Sequence, residues 1–305
     1  MVKHFLQISD YTHDDLWSIL QLAKELKTKF CNKEQYTPFK MQSLAMIFAK
    51  PSARTRVSFE TGFNWMGGNA IYLGPKDIGI GKRESNKDLA RLFSRYNNMI
   101  LARLFDHDHI TQIARYSSIP VINGLTDYNH PCQIMSDIFT LWEHRGKIDE
   151  LKITYLGDGN NIVHSWLQLA SLFPMQFVCC SPLGFEPDDK TIRMVTDSGV
   201  STFEISHHPK SAVKDADVVY TDVWASMGQK DEEDSRASIF SNYQVNSSLL
   251  TEAKKDFLFM HCLPAERGKE VTDEVIESSN SIVFDQAENR MHVQNAIMVF
   301  LSKNS

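Results

Sequence analysis

Short apolar runs alternate along this chain with longer stretches of helical periodicity, and that alternation narrows the possible folds more than any other feature. Strands are expected at Leu44–Phe48, Ala70–Leu73, Met99–Leu104 and Pro120–Ile122 in the first half. In the second half they are expected at Ile153–Leu156, Phe177–Cys180, Thr202–Ile205, Val218–Thr221, Phe257–His261 and Ile282–Phe284. Between them lie helical stretches near Asn86–Tyr96, Ile110–Ser117, Pro131–His144 and Ile162–Phe173, with a last one over Gln286–Leu301. A first helix, Thr12 to Lys29, carries apolar residues at helical spacing behind a Thr12/Asp15 capping box. Strand, helix, strand in succession requires a crossover, so the strands should lie parallel with helices packed on them. The expected class is α/β, two doubly wound parallel-sheet domains, with the polar break at Gly146–Glu150 as the boundary.

Composition agrees with a folded, water-exposed protein of that size. At 305 residues the chain exceeds one ordinary core, so two domains are the default. A net charge of −6 argues against nucleic acid or an anionic membrane surface as partner, so a phosphorylated small molecule would need a locally positive site. No apolar run approaches the ~18 residues of a membrane span, and MVKHFLQISDY lacks the pattern of a secretory signal. The five cysteines, Cys31, Cys132, Cys179, Cys180 and Cys262, have no CxxC spacing, which fits neither a disulfide framework nor a zinc ribbon. A reducing cytoplasm is the expected compartment, with no metal and no cofactor.

One loop promises chemistry. Lys50-Pro51-Ser52-Ala53-Arg54-Thr55-Arg56 follows the first apolar run and opens a helical stripe. Ser52 is a plausible N-cap, so free amides, the positive end of a helix dipole, Arg54 and two hydroxyls face one place, as a phosphate cradle requires. The plain alternative is a capped helix with two solvated arginines. In parallel α/β folds ligands sit beyond the carboxyl ends of strands. Arg103, His130-Pro131-Cys132-Gln133, Asp158-Gly159-Asn160-Asn161 and His261-Cys262-Leu263-Pro264 all fall there. Singly, each has a dull explanation: a surface ion pair, a helix cap, a core thiol. Their shared position does not.

Two rival readings fail on particular residues. Gly157-Asp158-Gly159-Asn160-Asn161 suggests a dinucleotide turn, but Ile162 stands where a third glycine or alanine belongs, and no acidic residue ends the next strand. Cys262 as a nucleophile needs a base, and His261 points to the opposite face if both lie on a strand, which leaves His130. His144, His164, His207 and His208 have no chemical context and are expected to be structural or solvated.

The segments SARTRVSFETG, HPCQ, DGNN, DVWASMGQ, HCLPAERG and AENRMHVQNA, in this order from about Phe5 to Leu301, resemble the transcarbamylase family and, within it, the ornithine carbamoyltransferases. The resemblance implies a carbamoyl phosphate domain (1–147), an ornithine domain (148–285) and a C-terminal helix (286–305) that crosses back to the first domain. It implies carbamoyl transfer from carbamoyl phosphate to the δ-amine of L-ornithine, and a homotrimer or a multiple of trimers. Ser52, Ala53, Arg54 and Thr55 would hold the phosphate. Arg103 and His130 would face the carbamoyl oxygen. Gln133 and the main chain at Cys262 and Leu263 would accept from the carbamoyl NH2, Pro131 and Cys132 would flank that group, and Arg290 would add a cation. Asn161 would meet the ornithine carboxylate, Asp222 its α-ammonium, and Ser226 and Met227 would close over it beside a polar, lid-like stretch, 228–241. Catalytic roles would fall to Arg103, His130, Cys262 and Asp222.

Two positions depart from the pattern. Ala53 replaces a common threonine, where a main-chain amide suffices. Gly79 stands where relatives carry a side chain that reaches a neighbouring subunit, so Lys82 or Arg83 would have to replace it. Against other acceptors, an aspartate enzyme needs cations for a second carboxylate, Asp222 disfavours an acetylated α-amine, and Asn161 implies a carboxylate that putrescine lacks. A non-enzymatic binding module would require the loss of a catalytic residue, and none is lost.

Overall fold

Strand and helix alternate as the periodicity requires in the computed structural model, which describes residues 2–79, 84–225 and 233–304. Two units form, Met1–Phe139 with Asn289–Ser305, and Thr140–Glu288. The sequence reading divides the chain at 147 and 285.

The first unit runs α1 (His13–Cys31), β1 (Ser43–Phe48), α2 (Ala53–Trp65), β2 (Asn69–Leu73), α3 (Asn86–Tyr96), β3 (Met99–Arg103), α4 (His107–Tyr116), β4 (Val121–Leu125) and the start of α5 (Pro131–Arg145). Its strands form one parallel sheet in the order β2-β1-β3-β4. β3 is buried along its whole length and β1 at all but its first residue, as expected for strands covered by helices on both faces. Ala45, Ile47, Ile100 and Ala102 meet Leu89, Ile110 and Ile113 in one core cluster. Side-chain caps set the helix starts. Thr12 and Asp15 make a reciprocal capping box on α1, and Ser52 accepts from the Thr55 amide on α2.

The second unit continues with β5 (Lys152–Leu156), α6 (Asn161–Ala170), β6 (Gln176–Cys180), α7 (Asp189–Ser198), β7 (Thr202–Ser206), α8 (Pro209–Val213), β8 (Val218–Thr221), α9 (Glu233–Phe240), α10 (Ser247–Leu250), β9 (Leu258–His261), α11 (Asp273–Ile276) and the first turns of α12 (Val283–Lys303). Its parallel sheet has the order β7-β6-β5-β8-β9. Trp166 of α6 packs on Phe177 and Tyr220 at ring distances of 5.8 and 6.1 Å.

From Asn289 onward α12 belongs to the first unit, which is the expected return of the last helix. Lys27 Nζ donates to Asn289 Oδ1 at 2.8 Å, Phe30 stands edge-on to both Trp65 and His292, and Tyr11 meets Phe300.

One expected strand is not a strand. Ser281 makes a single bridge with Phe259 and the Ile282 amide donates to the Phe259 carbonyl, but Gln286 then bonds back to Ile282 and the helix has begun. Phe284 is left on the helix's outer face, 64% exposed. Three apolar residues in a row fit a buried strand or a helix start equally well, and the helical bonding wins here.

Both sheets reverse direction at a central strand, between β1 and β3 and between β5 and β8. In open α/β sheets such reversals leave a crevice beyond the strand ends. At or just past the ends of β1, β3, β5 and β8 stand Ser52 in the loop before α2, Arg103 as the last residue of β3, Asn161 at the first position of α6, and Asp222. No helix among the described residues is long and apolar enough to cross a membrane, and none of the cysteines is in a disulfide.

Candidate active site

In the first unit the chemistry converges on one hydroxyl. Thr55, fully buried in the first turn of α2, accepts at Oγ1 from Arg103 Nη1 (3.3 Å), Arg290 Nη2 (3.2 Å) and Ser52 Oγ (3.1 Å). The end of β3, the α2 N-terminus and the return of α12 are thereby drawn together. Arg103 and Arg290 are both buried, and the Nε of Arg54 is enclosed without a hydrogen-bond partner among the described residues. Ala53 is exposed at the first position of α2 and offers its amide.

His130, at the start of α5, is buried beside these cations. Burial first, then the guanidinium groups of Arg290, Arg103 and Arg54, hold its pKa well below 6.5, so the imidazole is neutral at neutral pH. One turn on, Gln133 Nε2 donates to Asp137 Oδ1 at 2.7 Å. A carboxylate only accepts, which fixes the amide orientation and leaves Gln133 Oε1 as a buried acceptor with no partner among the described residues. Pro131 and Cys132 occupy the same turn, but the Cys132 thiol points to the Asn123 carbonyl (3.4 Å), and burial pushes its pKa up to about 12. Cys132 can therefore contribute only main chain. The result is a cluster of cations and amides, neutral at His130, with an acceptor at Gln133. It suits a small dianion that carries an amide.

The second unit presents the opposite charge. Asp222, just past β8 and 7% exposed, accepts at Oδ1 from the Val223 amide (2.8 Å) and from Cys262 Sγ (2.9 Å). Asn160 caps α6 through Oδ1 on the Ile162 amide and turns Nδ2 toward Asp222 Oδ2 at 3.5 Å, which sets Asn161 at the first position of the helix. Cys262 follows β9. His261 is not its base: Nε2 faces the fully buried Glu270 at 3.1 Å, and Nδ1 accepts from the Leu263 amide at 2.8 Å. The ring instead braces the 262–264 turn, where Leu263 has φ +56° and precedes a cis Pro264. Asp222, His261 and Cys262 offer ligand atoms within 4.8 Å of one another, a set that could take a metal ion only if His261 gave up one of those bonds.

Several contributors escaped the sequence. Arg236 of α9 donates from Nη1 to Asp158 Oδ2 (2.7 Å) and to the Trp224 carbonyl (2.9 Å), which ties the Gly157–Asn160 turn to the segment after Asp222. Burial raises the pKa of Asp158, Arg236 works against that, and Asp222 adds to it. Gln286 binds both the His261 amide and the Tyr220 hydroxyl. Their partners lie tens of residues away, so no local pattern could have marked them. Ser226, Met227, Lys82 and Arg83 lie outside the described residues, as does the lid-like stretch up to residue 232. The remainder of that stretch is helix α9, which buries Arg236 and Phe240.

Known proteins decide the family. Residues 3–143 match the model for the carbamoyl-P binding domain of aspartate/ornithine carbamoyltransferase, and residues 149–301 match its Asp/Orn binding domain. The chain belongs to the aspartate/ornithine carbamoyltransferase family. Among curated relatives of this transferase family, a chloroplastic ornithine carbamoyltransferase from Pisum sativum is 57% identical over 299 residues, 98% of this chain and 80% of that protein. One from Pyrococcus abyssi is 47% identical over 98% of this chain and 95% of its own length. The solved ornithine carbamoyltransferase of Pyrococcus furiosus superposes with a TM-score of 0.95 at 46% identity, covering 99% of this chain and 98% of that one. An anabolic ornithine carbamoyltransferase from Campylobacter jejuni reaches 0.94 at 32% identity, covering 99% and 100%.

Proposed function

We propose that the chain transfers the carbamoyl group of carbamoyl phosphate to the δ-amine of L-ornithine, giving L-citrulline and phosphate. The observation that carries this reading is that each unit holds a site of its own charge: Arg54, Arg103 and Arg290 around Thr55 and neutral His130 in the first, and the Asp222–Cys262 contact beside Asn161 in the second. The phosphate sits at the N-terminus of α2, held by the main chain at Ser52, Ala53 and Arg54 beside the Ser52 and Thr55 hydroxyls, aided by Arg290. Arg103 and His130 face the carbamoyl oxygen, where negative charge grows as the carbon becomes tetrahedral. A neutral imidazole meets that oxygen as an N–H donor. Gln133 Oε1 accepts from the carbamoyl NH2.

Asp222 accepts from the α-ammonium of ornithine and Asn161 donates to its carboxylate, with Ser226 and Met227 closing over the ligand. Cys262 steers the δ-amine. The neutral δ-nitrogen attacks the carbonyl carbon, the bond from that carbon to the phosphate oxygen breaks, and the amine proton leaves with phosphate or solvent. No covalent enzyme intermediate forms. The same reading extends to arginine biosynthesis or, in reverse, citrulline breakdown, in the cytoplasm, and to a homotrimer or a multiple of trimers in which Lys82 or Arg83 reaches a neighbour's phosphate site.

A citrulline assay against ornithine, acetylornithine, putrescine and aspartate tests the substrate. Ornithine should lead by orders of magnitude, and preference for another amine sinks the reading. Mixing Arg54→Ala with a Lys82→Ala/Arg83→Ala variant under subunit exchange tests the trimer. Proven hybrids that regain no activity would show that each subunit builds its own site.

A further inference from the structure

We infer that Asn129 and Asn123 form a buried amide pair that positions His130, an inference that rests on the catalytic assignment of His130 above. β4 breaks its register with β3 at Gly124: Ala102 stands opposite Asn123, whereas Arg103 stands opposite Leu125. Such a bulge re-aims the residues around it. Asn123 Nδ2 donates both to Asn129 Oδ1 (2.5 Å) and to the Leu6 carbonyl (2.9 Å). Leu6 belongs to the N-terminal segment laid along β4, which bonds Phe5 to Val121 and Asn123 to Phe5 through the main chain.

The turn from β4 to α5 closes on the main chain of the same Asn129. The Thr126 amide donates to the Asn129 carbonyl at 3.0 Å, the Asn129 amide to Thr126 Oγ1 at 3.3 Å, and His107 Nδ1 lies 3.0 Å from that hydroxyl. Asn123, Thr126 and Asn129 are all fully buried. His130 is the next residue after Asn129, and Pro131 behind it restricts its backbone. The main chain that carries the imidazole is therefore pinned by side chains on one side and by a proline ring on the other.

Stability alone does not account for the pair. Asn123 Oδ1 and Asn129 Nδ2 are buried without partners among the described residues, a cost that two apolar side chains of similar volume would avoid. What the amides supply is direction. A hydrogen bond holds the turn in one geometry, where leucines would fill the space without orienting it.

The test compares citrulline kinetics, melting temperature and crystal structure for wild type, Asn129→Leu, Asn123→Leu and the double variant, with His130→Gln as reference. Each single variant should lower kcat about tenfold or more, with the KM for ornithine within about threefold, and the double variant, in which neither amide is left without its partner, should keep a melting temperature at or above those of the singles. The double variant should be no worse than the poorer single one, because both remove one device. In the crystals, the His130 ring should leave its wild-type position. The inference fails if both single variants keep wild-type kcat, if kcat falls only in step with melting temperature, or if His130 stays in place. Wild type that makes no citrulline, or His130→Gln without loss, refutes the functional reading instead, and the position of His130 in the variant crystals still decides the role of Asn129.

Discussion

Replacing Asp222 by asparagine isolates a charge. The Asp222 carboxylate receives the Val223 amide and the Cys262 thiol on Oδ1, and an asparagine oxygen can accept both. Among the described residues Oδ2 has only the long 3.5 Å approach of Asn160 Nδ2, so it is the oxygen left to take an ammonium. Asp222→Asn therefore keeps the two Oδ1 bonds and the volume, gives up the long Asn160 contact, and removes the negative charge at one buried position. A charge-assisted hydrogen bond contributes about 1.5–3 kcal/mol, which is about 10- to 160-fold in kcat/KM. Ornithine should lose that factor. Putrescine, which has no α-ammonium for Asp222 to hold, should lose far less. The assay is carbamoyl product formed from each amine at saturating carbamoyl phosphate, with melting temperature as the control for folding. Equal losses for the two amines would refute the argument and move Asp222 from specificity into chemistry.

Arg54→Ala should reduce turnover on the order of 10²–10³-fold with little change in melting temperature, as for loss of a preorganised cation; parallel losses in both would make Arg54 a scaffold residue. His130 has a folded pKa well below its ordinary 6.5, so the unfolded chain takes up its proton first. Its contribution to stability is complete above pH ~6.5 and is lost as pH falls from there toward the folded value, with half-buried His4 acting in the same direction. Melting temperature measured from pH 8 to 5 should fall less steeply in His130→Gln than in wild type. A Cβ at Gly62 would stand 2.0 Å from Asn295 Oδ1, whose side chain is fully buried, so Gly62→Ala should cost about 1–3 kcal/mol in denaturant unfolding. Asn295→Ala in the same chain should restore most of it, and a lone Gly62→Ala of wild-type stability would show that α2 and α12 have slack.

The sequence by itself determined what is decided locally: where strands and helices form, which residues cap them, and which fall just past a strand. Ser52 caps α2 because an extended residue just before a helix places its hydroxyl on the free amide three residues on. Leu44–Phe48 and Met99–Arg103 become buried parallel strands because runs with no polar side of their own need cover on both faces. Where the local signal was ambiguous, at Ile282–Phe284, reading it as a strand failed: the contact with Phe259 stops at one bridge, and the helical bond from Gln286 back to Ile282 takes over. Only the tertiary structure decided who meets whom. Thr55 gathers Arg103 and Arg290 across 48 and 235 residues, Arg236 finds Asp158 across 78, and Cys262 finds Asp222 across 40. The neutrality of His130 belongs to this second kind. Its pKa is set by water excluded and by cations delivered from three separate elements, and a sequence lists those groups without stating their distances.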